Sequence, residues 1–158
     1  MNKQSGLEIP RSLWTRLVAE LCQRGKGSRE SGAFLLARVG ESTISEFVCF
    51  DDLDSTALET GIITFHGAGF VNLWNLCRER GLRVLADVHT HPHEWTEQSF
   101  SDRTNPMINQ PGHFALIVPH YAQHPQSDLI GVGIYEYLGR HRWKRWLPAD
   151  GCVRLSDL

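Results

Sequence analysis

Residues 89–102 contain side chains whose types and spacing fit a catalytic metal site. His89 and His91 are two positions apart, and successive side chains of an extended strand alternate between its faces. Both imidazoles therefore project to the same side and can bind one ion, with Asp102 as the third ligand. Zinc held by two histidines and one carboxylate keeps a fourth position for water, and it lowers the pKa of that water to about 7. This pattern predicts a hydrolase.

Hydrophobic periodicity predicts two main helices. The first spans residues 10–24, where Pro10 suits a first helical turn and apolar residues recur at helical spacing. The second spans residues 68–80 and is followed by Gly81, a residue type that commonly ends a helix.

Short apolar segments predict the strands. These segments are residues 30–39, 43–50, 83–89, 113–118, 129–137 and 141–147, and the last two are joined as a hairpin through residues 138–140. The strand at 83–89 delivers His89 at its C-terminal end, and Pro92 prevents further ladder pairing. Residues 51–66 have loop composition around a strand-like patch at 62–65. Residues 92–112 form a long polar loop, and loops of that length usually carry function.

The spacing of these residues resembles the motif of the JAMM (MPN+) metalloproteases, which is His-x-His, seven residues, Ser, two residues, Asp. That family has a catalytic Glu upstream in a Glu-x-Gly segment, and Glu30-Ser31-Gly32 stands in that place. Ala37 stands where the family often has Gly. The resemblance covers most of the chain and implies a single JAMM/MPN domain over residues 1–158. The implied fold is an α/β (α+β), cytidine-deaminase-like fold, with a mixed, curved β-sheet packed with two main helices.

The resemblance also implies the role of each site residue. His89, His91 and Asp102 would bind one catalytic Zn2+, while Glu30 would act as general base on the zinc-bound water. Ser99 would donate a hydrogen bond to the developing oxyanion. These roles are chemically consistent, because zinc polarises the scissile carbonyl while a carboxylate moves a proton from water to the leaving amine. Two structural alternatives stay open: Ser99 could cap a helical turn, and Glu30 could be a solvated edge residue.

The same resemblance implies a zinc-dependent isopeptidase or peptidase that cleaves after the C-terminal glycine of ubiquitin or a ubiquitin-like protein. The extended tail of such a modifier can bind by adding a strand to an exposed sheet edge. Residues 60–66 occupy the place of the substrate insertion of the family, and they are the predicted edge. The candidate substrate contacts are Ile62, Ile63, Thr64 and Phe65. A surface hairpin without this role is the alternative.

The short chain resembles stand-alone bacterial JAMM proteins of antiphage operons. Those proteins are found beside homologues of ubiquitin-activating (E1-like) and ubiquitin-conjugating (E2-like) enzymes. A ubiquitin-like protein or its conjugates, and such E1-like and E2-like proteins, are therefore the expected partners.

Three other functions remain open at this stage. An inactive MPN scaffold usually lacks a metal ligand, whereas this chain has all of them. A peptidase that processes a sulfur-carrier precursor would use the same zinc chemistry. A DNA-associated protein like the RadC group shares a similar His-x-His-Pro arrangement, but the net charge of -2 argues against nucleic acid as a partner.

A second, structural zinc at His113, His120, His124 and Cys152 is disfavoured, because their spacing lacks a closed ligand pair.

Composition sets the broad class of the protein. The 158 residues, 41% of them hydrophobic, are enough for one domain with a substantial core. The four cysteines have no Cys-x-x-Cys spacing, and the first 25 residues contain no long apolar stretch like that of a signal peptide. The chain also has no run of about 18 apolar residues. These observations predict a cytoplasmic protein with reduced thiols and no membrane partner.

Overall fold

A six-stranded mixed sheet forms the centre of the computed structural model, which describes residues 6–157. In chain order the elements are β1 (Leu7–Pro10), α1 (Arg11–Gly25), β2 (Gly32–Arg38), β3 (Ile44–Cys49), α2 (Phe50–Leu53), α3 (Gly67–Arg80), β4 (Leu82–Thr90), α4 (Phe100–Thr104), β5 (Phe114–Val118), β6 (Gly133–Gly139), β7 (Arg142–Trp146) and β8 (Val153–Ser156). The strand order is β3-β2-β4-β5-β6-β7, with β4 and β5 parallel and the other pairs antiparallel. β1 and β8 pair separately as a parallel ribbon.

The two long helices cover opposite faces of this sheet. Alternate residues of β2 show the division, because Leu35 belongs to the core beneath α1 and Phe34 to the core beneath α3. Trp14 of α1 is fully buried in the first core, and Leu73 of α3 is fully buried in the second. The predicted α/β class, with a mixed sheet and two main helices, is therefore confirmed.

The predicted helices agree with the structure to within one residue. α3 ends at Arg80 and is capped by Gly81, which adopts a φ of 64° in the left-handed region that glycine tolerates. Most strand predictions also hold, with two shifts in their starts. β2 begins at Gly32, so Glu30 lies just before the strand. β6 begins at Gly133, because residues 129–132 form a turn in which the Val132 N–H donates to the Leu129 carbonyl.

Several features differ from the prediction, and the helix α2 is one of them, since Phe50 was predicted to end a strand and residues 51–53 to begin a loop. The strand-like patch at 62–65 is not a strand: Thr64 N–H bonds the Ala57 carbonyl instead of a sheet partner. The loop 92–112 contains the short helix α4, and the four-residue strands β1 and β8 have no predicted counterpart. Within residues 6–157, none of the helices is long and apolar enough to cross a membrane.

Candidate metal centre

His89, His91 and Asp102 converge at the C-terminal end of β4. His89 Nε2 lies 3.2 Å from His91 Nε2, and Asp102 Oδ2 lies 3.4 Å and 3.2 Å from these two nitrogens. Tetrahedral zinc with bonds of about 2.0–2.1 Å separates two ligand atoms by about 3.3–3.4 Å. These donors therefore match a zinc site in type and in spacing. Within the described part of the chain, they form the one group of three or more such side chains that could hold a metal ion.

The backbone around the two histidines is fixed by neighbouring strands. His89 pairs with Gly32 of β2 on one side and with Ile117 of β5 on the other. His91 lies beyond β4, where its N–H donates to the Val118 carbonyl at 2.9 Å and its carbonyl accepts the Tyr121 N–H at 2.8 Å. The backbones of both histidines are thus held by the middle strands of the sheet and are not part of a free loop.

Tyr121 belongs to a turn in a strained conformation. Residues His120, Tyr121 and Ala122 have φ values of 58°, 51° and 59°, and each such non-glycine residue costs about 1–3 kcal/mol. The surrounding contacts hold this turn in place, since His120 N–H also donates to the His93 carbonyl. A strained turn that hydrogen-bonds the backbone of a candidate metal-binding residue is typical of a functional site.

The His91 ring has one available tautomer for metal binding. Its Nδ1 lies 3.1 Å from the carbonyl oxygen of Trp95, and a carbonyl only accepts hydrogen bonds. Nδ1 therefore carries a proton, which leaves Nε2, beside His89 and Asp102, as the nitrogen that can bind a metal once it is deprotonated. Carbonyls commonly orient metal-binding histidines in this way.

Asp102 reaches the site from α4, and Ser99 caps that helix. Ser99 Oγ accepts the Asp102 N–H at 3.0 Å, while Asp102 Oδ2 accepts the Ser99 N–H at 2.9 Å. This reciprocal pair is a capping box. The helix-capping alternative for Ser99 is therefore confirmed, and the predicted oxyanion role stays a prediction.

The charges of the site favour an ionised carboxylate. Burial opposes ionisation of Asp102, but hydrogen bonds from His89 and His91 outweigh it and hold the pKa of Asp102 well below its usual range. Burial lowers the pKa of His89, whereas its hydrogen bond to Asp102 and the charges of Asp102, Asp87 and Glu30 give a net raised pKa. His89 and Asp102 thus each shift the pKa of the other.

Glu30 lies beside the ligands because two chain segments interlock. Ser31 N–H donates to Thr90 Oγ1 at 3.0 Å, and Thr90 N–H donates to the Ser31 carbonyl at 3.0 Å. Glu30 N–H donates to the Gly61 carbonyl at 2.9 Å, and Glu30 Oε2 accepts the Ile63 N–H at 3.4 Å. The predicted general base and the residue between the two histidines thus belong to one hydrogen-bonded junction.

A cleft of about 480 Å3 brings Glu30, Ser99, His89 and Asp102 together. Its apolar walls are formed by Phe50, Ile62, Ile63, Phe65, Phe70, Pro106, Met107, Ala115 and Trp143. Three of the four predicted substrate contacts therefore line the cleft, while Thr64 is exposed and is not part of its lining. Their role in substrate binding stays a prediction.

The structure adds a buried hydrogen-bonded pair, Asp87 and His113, that sequence reasoning missed. Asp87 lines the same cleft, and its Oδ1 lies 2.6 Å from Nε2 of His113. Asp87 is two residues before His89, so strand alternation places both side chains on one face of β4. This spacing is the sequence feature from which the position of Asp87 in the site could have been predicted. Of the residues considered for a second zinc, His113 has Asp87 as its partner, and His120 and His124 stack with ring centroids 3.8 Å apart.

No model of a known protein family matches the chain. A solution structure of a protein from Desulfitobacterium hafniense has a TM-score of 0.65 at 15% identity, covering 96% of this chain and 94% of that one. A JAB1/MPN domain protein from Archaeoglobus fulgidus has a TM-score of 0.52 at 16% identity, covering 96% and 99%. A solution structure from Salinibacter ruber has a TM-score of 0.56 at 15% identity, covering 89% of each chain. This chain therefore has the JAB1/MPN fold, as its motif predicts.

Proposed function

We propose that this protein is a single-domain zinc peptidase or isopeptidase that cleaves after the C-terminal glycine of a ubiquitin-like protein. The observation that carries the proposal is the placement of three zinc-type ligand atoms 3.2–3.4 Å apart, with two of the three residues, His89 and Asp102, lining a cleft that Glu30 also lines. The JAB1/MPN fold supports it, because the motif residues occupy one site within that fold.

The residues around the cleft suit peptide hydrolysis. When bound, zinc supplies Lewis acidity, which polarises a carbonyl and lowers the pKa of water to about 7. Glu30 takes a proton from the attacking water and returns it to the leaving amine, and the Ile63 N–H holds its carboxylate in place. Ser99 Oγ already accepts the Asp102 N–H, so its own proton is the one that donates to the developing oxyanion.

The substrate tail enters along residues 62–65, of which Ile62, Ile63 and Phe65 line one wall of the cleft. These residues are not a strand, so the tail docks on an irregular segment and not on a preformed sheet edge. Ile62 is 63% exposed, and it offers an apolar contact at the cleft mouth. A ubiquitin-like protein and its conjugates are the proposed partners, with E1-like and E2-like enzymes as further partners of that modifier.

Metal binding is the first test of this proposal. Titration with zinc, followed by elemental analysis after desalting, should find one zinc per chain in the wild-type protein and none in His89→Ala. His124→Ala, which removes an exposed imidazole outside the cleft lining, is the matched control and should keep the metal. Wild-type protein that binds no zinc would refute the proposal.

Cleavage is the second test. A ubiquitin-like protein fused through its terminal glycine to a reporter should be cut directly after that glycine, and a large side chain in place of the glycine should stop cleavage. Ile62→Asp should weaken cleavage through a higher KM while zinc content persists. Zinc-loaded protein that cuts no such fusion would point instead to a non-catalytic MPN module or a different substrate.

A further inference from the structure

Residues 92–104, termed here the ligand loop, carry Asp102 and lie against the β6–β7 hairpin. Hydrogen bonds fasten the loop to that hairpin at two points, beside an exposed ion pair between Glu97 of the loop and Arg145 of β7 at 3.9 Å. Each point directly adjoins a residue that contacts the metal centre.

The first fastening point is Thr96. Its carbonyl accepts the hydroxyl of Tyr135 from β6 at 2.9 Å, and its Oγ1 donates to the Gly131 carbonyl at 3.2 Å. The fit is close, because a Cβ added to Gly133 would collide with the same Thr96 carbonyl oxygen. Thr96 follows Trp95, whose carbonyl orients the His91 ring.

The second fastening point is Arg103. Its carbonyl accepts the indole N–H of Trp143 from β7 at 3.1 Å, and its guanidinium donates to the Gln98 carbonyl at 2.8 Å. Trp143 is itself supported by the Tyr137 ring, with centroids 4.9 Å apart. Arg103 follows Asp102, so a fixed Arg103 carbonyl limits movement of the third ligand.

We infer that Tyr135 and Trp143 are positioning residues for the metal centre, acting through the ligand loop. A ligand on a free loop must be ordered when the metal binds, and that ordering costs conformational entropy. Two hydrogen bonds from a sheet hairpin order the loop beforehand. Groups that hydrogen-bond a metal ligand directly typically change metal affinity by about 10–100-fold when replaced. Tyr135 and Trp143 act one residue further along the chain, so the lower end of this range is expected. The inference rests on the proposed function only in requiring that the site bind zinc.

The strand β7 provides a matched pair of variants. Trp143 and Trp146 are both half-buried, and each indole N–H donates one hydrogen bond, Trp143 to Arg103 and Trp146 to Oε1 of Glu136 at 3.0 Å. Trp146 packs against the core beneath α1, away from the ligand loop. Replacement by Phe removes the N–H in both cases, and only Trp143→Phe frees the loop.

The experiment measures the zinc dissociation constant of each variant by competition with a chromophoric chelator, together with the Tm of the metal-free protein. Trp143→Phe should bind zinc about 10-fold or more weakly, and Trp146→Phe should stay within about twofold of wild type. Tyr135→Phe, which keeps the ring and loses only the hydroxyl, should resemble Trp143→Phe. In the cobalt-loaded protein, both loop-freeing variants should also change the visible absorption of the metal.

Each outcome decides the inference. Wild-type zinc affinity in both Trp143→Phe and Tyr135→Phe overturns it while leaving the proposed function intact. Equal weakening by Trp143→Phe and Trp146→Phe, in step with Tm, also overturns it, because general destabilisation would then be the cause. Tyr135→Phe remains decisive if Trp143→Phe does not fold. A wild-type protein that binds no zinc overturns both this inference and the proposed function.

Discussion

Gly32 is a position where one methyl group should disturb both stability and the metal centre. A Cβ at this residue would lie 2.7 Å from the Val88 carbonyl oxygen and 2.8 Å from Cδ2 of Phe50, with Cε2 of that ring closer still. The Phe50 ring is buried and packs against Phe34, with centroids 4.7 Å apart, so it has little room to retreat. Val88 directly precedes the ligand His89.

The expected cost of Gly32→Ala follows from these contacts. Overpacking a well-filled core by a methyl group costs about 1–3 kcal/mol. In a domain of this size each kcal/mol lowers Tm by about 2–4 °C, so a decrease of about 2–12 °C is expected. The backbone of Gly32 lies outside the positive-φ region, so the cost arises from the contacts alone.

Thermal unfolding followed by circular dichroism measures this effect, and Gly67→Ala is its control. Gly67 begins α3 with open space around its Cβ position, so alanine there should leave Tm unchanged or raise it. Zinc affinity should also fall in Gly32→Ala, because relief of the Val88 contact displaces the strand that carries His89. A Gly32→Ala protein with wild-type Tm and wild-type zinc affinity would refute this reasoning.

Three further predictions concern individual side chains. Glu30→Gln should keep its zinc, but its turnover should fall by at least about 100-fold. The control Glu94→Gln, which changes an exposed carboxylate of the loop, should keep wild-type turnover. Rapid turnover by Glu30→Gln would mean that another carboxylate acts as the base. The pKa of Asp54 lies well below its usual range, because its carboxylate accepts hydrogen bonds from the His66 backbone N–H and then from the Thr56 and His66 side chains. The stability that Asp54 contributes is therefore complete above about pH 4 and is lost in stronger acid. Asp54→Asn should accordingly be less stable than wild type in urea at pH 7, with the difference shrinking towards pH 2. Burial raises the pKa of the Cys49 thiol to about 12, so iodoacetamide at pH 8 should modify it, by mass spectrometry, only after unfolding.

The helices and central strands were predictable because their signals are local. α1 and α3 show apolar residues at helical spacing, and Gly81 marks one end. β1 and β8 have no comparable signal, since each has four residues and their pairing joins Leu7 to Val153 across nearly the whole chain. Their existence depends on tertiary packing, which periodicity does not report.

Residues 62–65 show why composition alone misleads. Ile, Thr and Phe favour strands, yet here the apolar side chains serve packing and the cleft wall instead of a ladder. Phe65 contacts the rings of Phe34, Phe50 and Phe70, at centroid distances of 5.4, 5.5 and 4.7 Å. Strand preference reflects how well a side chain packs on the pleated surface of a sheet. Here the same side chains are packed in an aromatic cluster, so no sheet is needed to bury them.

The candidate site was predictable to the extent that its parts are close in sequence. Ser99 and Asp102 are three residues apart, which is the spacing of a capping box and also that of the metalloprotease motif. The two descriptions coincide because Oδ2 of Asp102 accepts the Ser99 N–H and faces His91 Nε2. The Ser99–Asp102 pair therefore specifies both the start of α4 and the direction of the Asp102 carboxylate.

The support of that site depends on distant residues and left no such pattern. Tyr135 and Trp143 lie 39 and 40 residues from the carbonyls that they hold. Aromatic residues in a strand ordinarily indicate core packing, and their polar atoms acquire a second role only when the ligand loop folds over the hairpin. A sequence motif thus reports which atoms contact a metal, whereas the strength of binding depends on what orders the loop that presents them, and only the assembled fold contains that information.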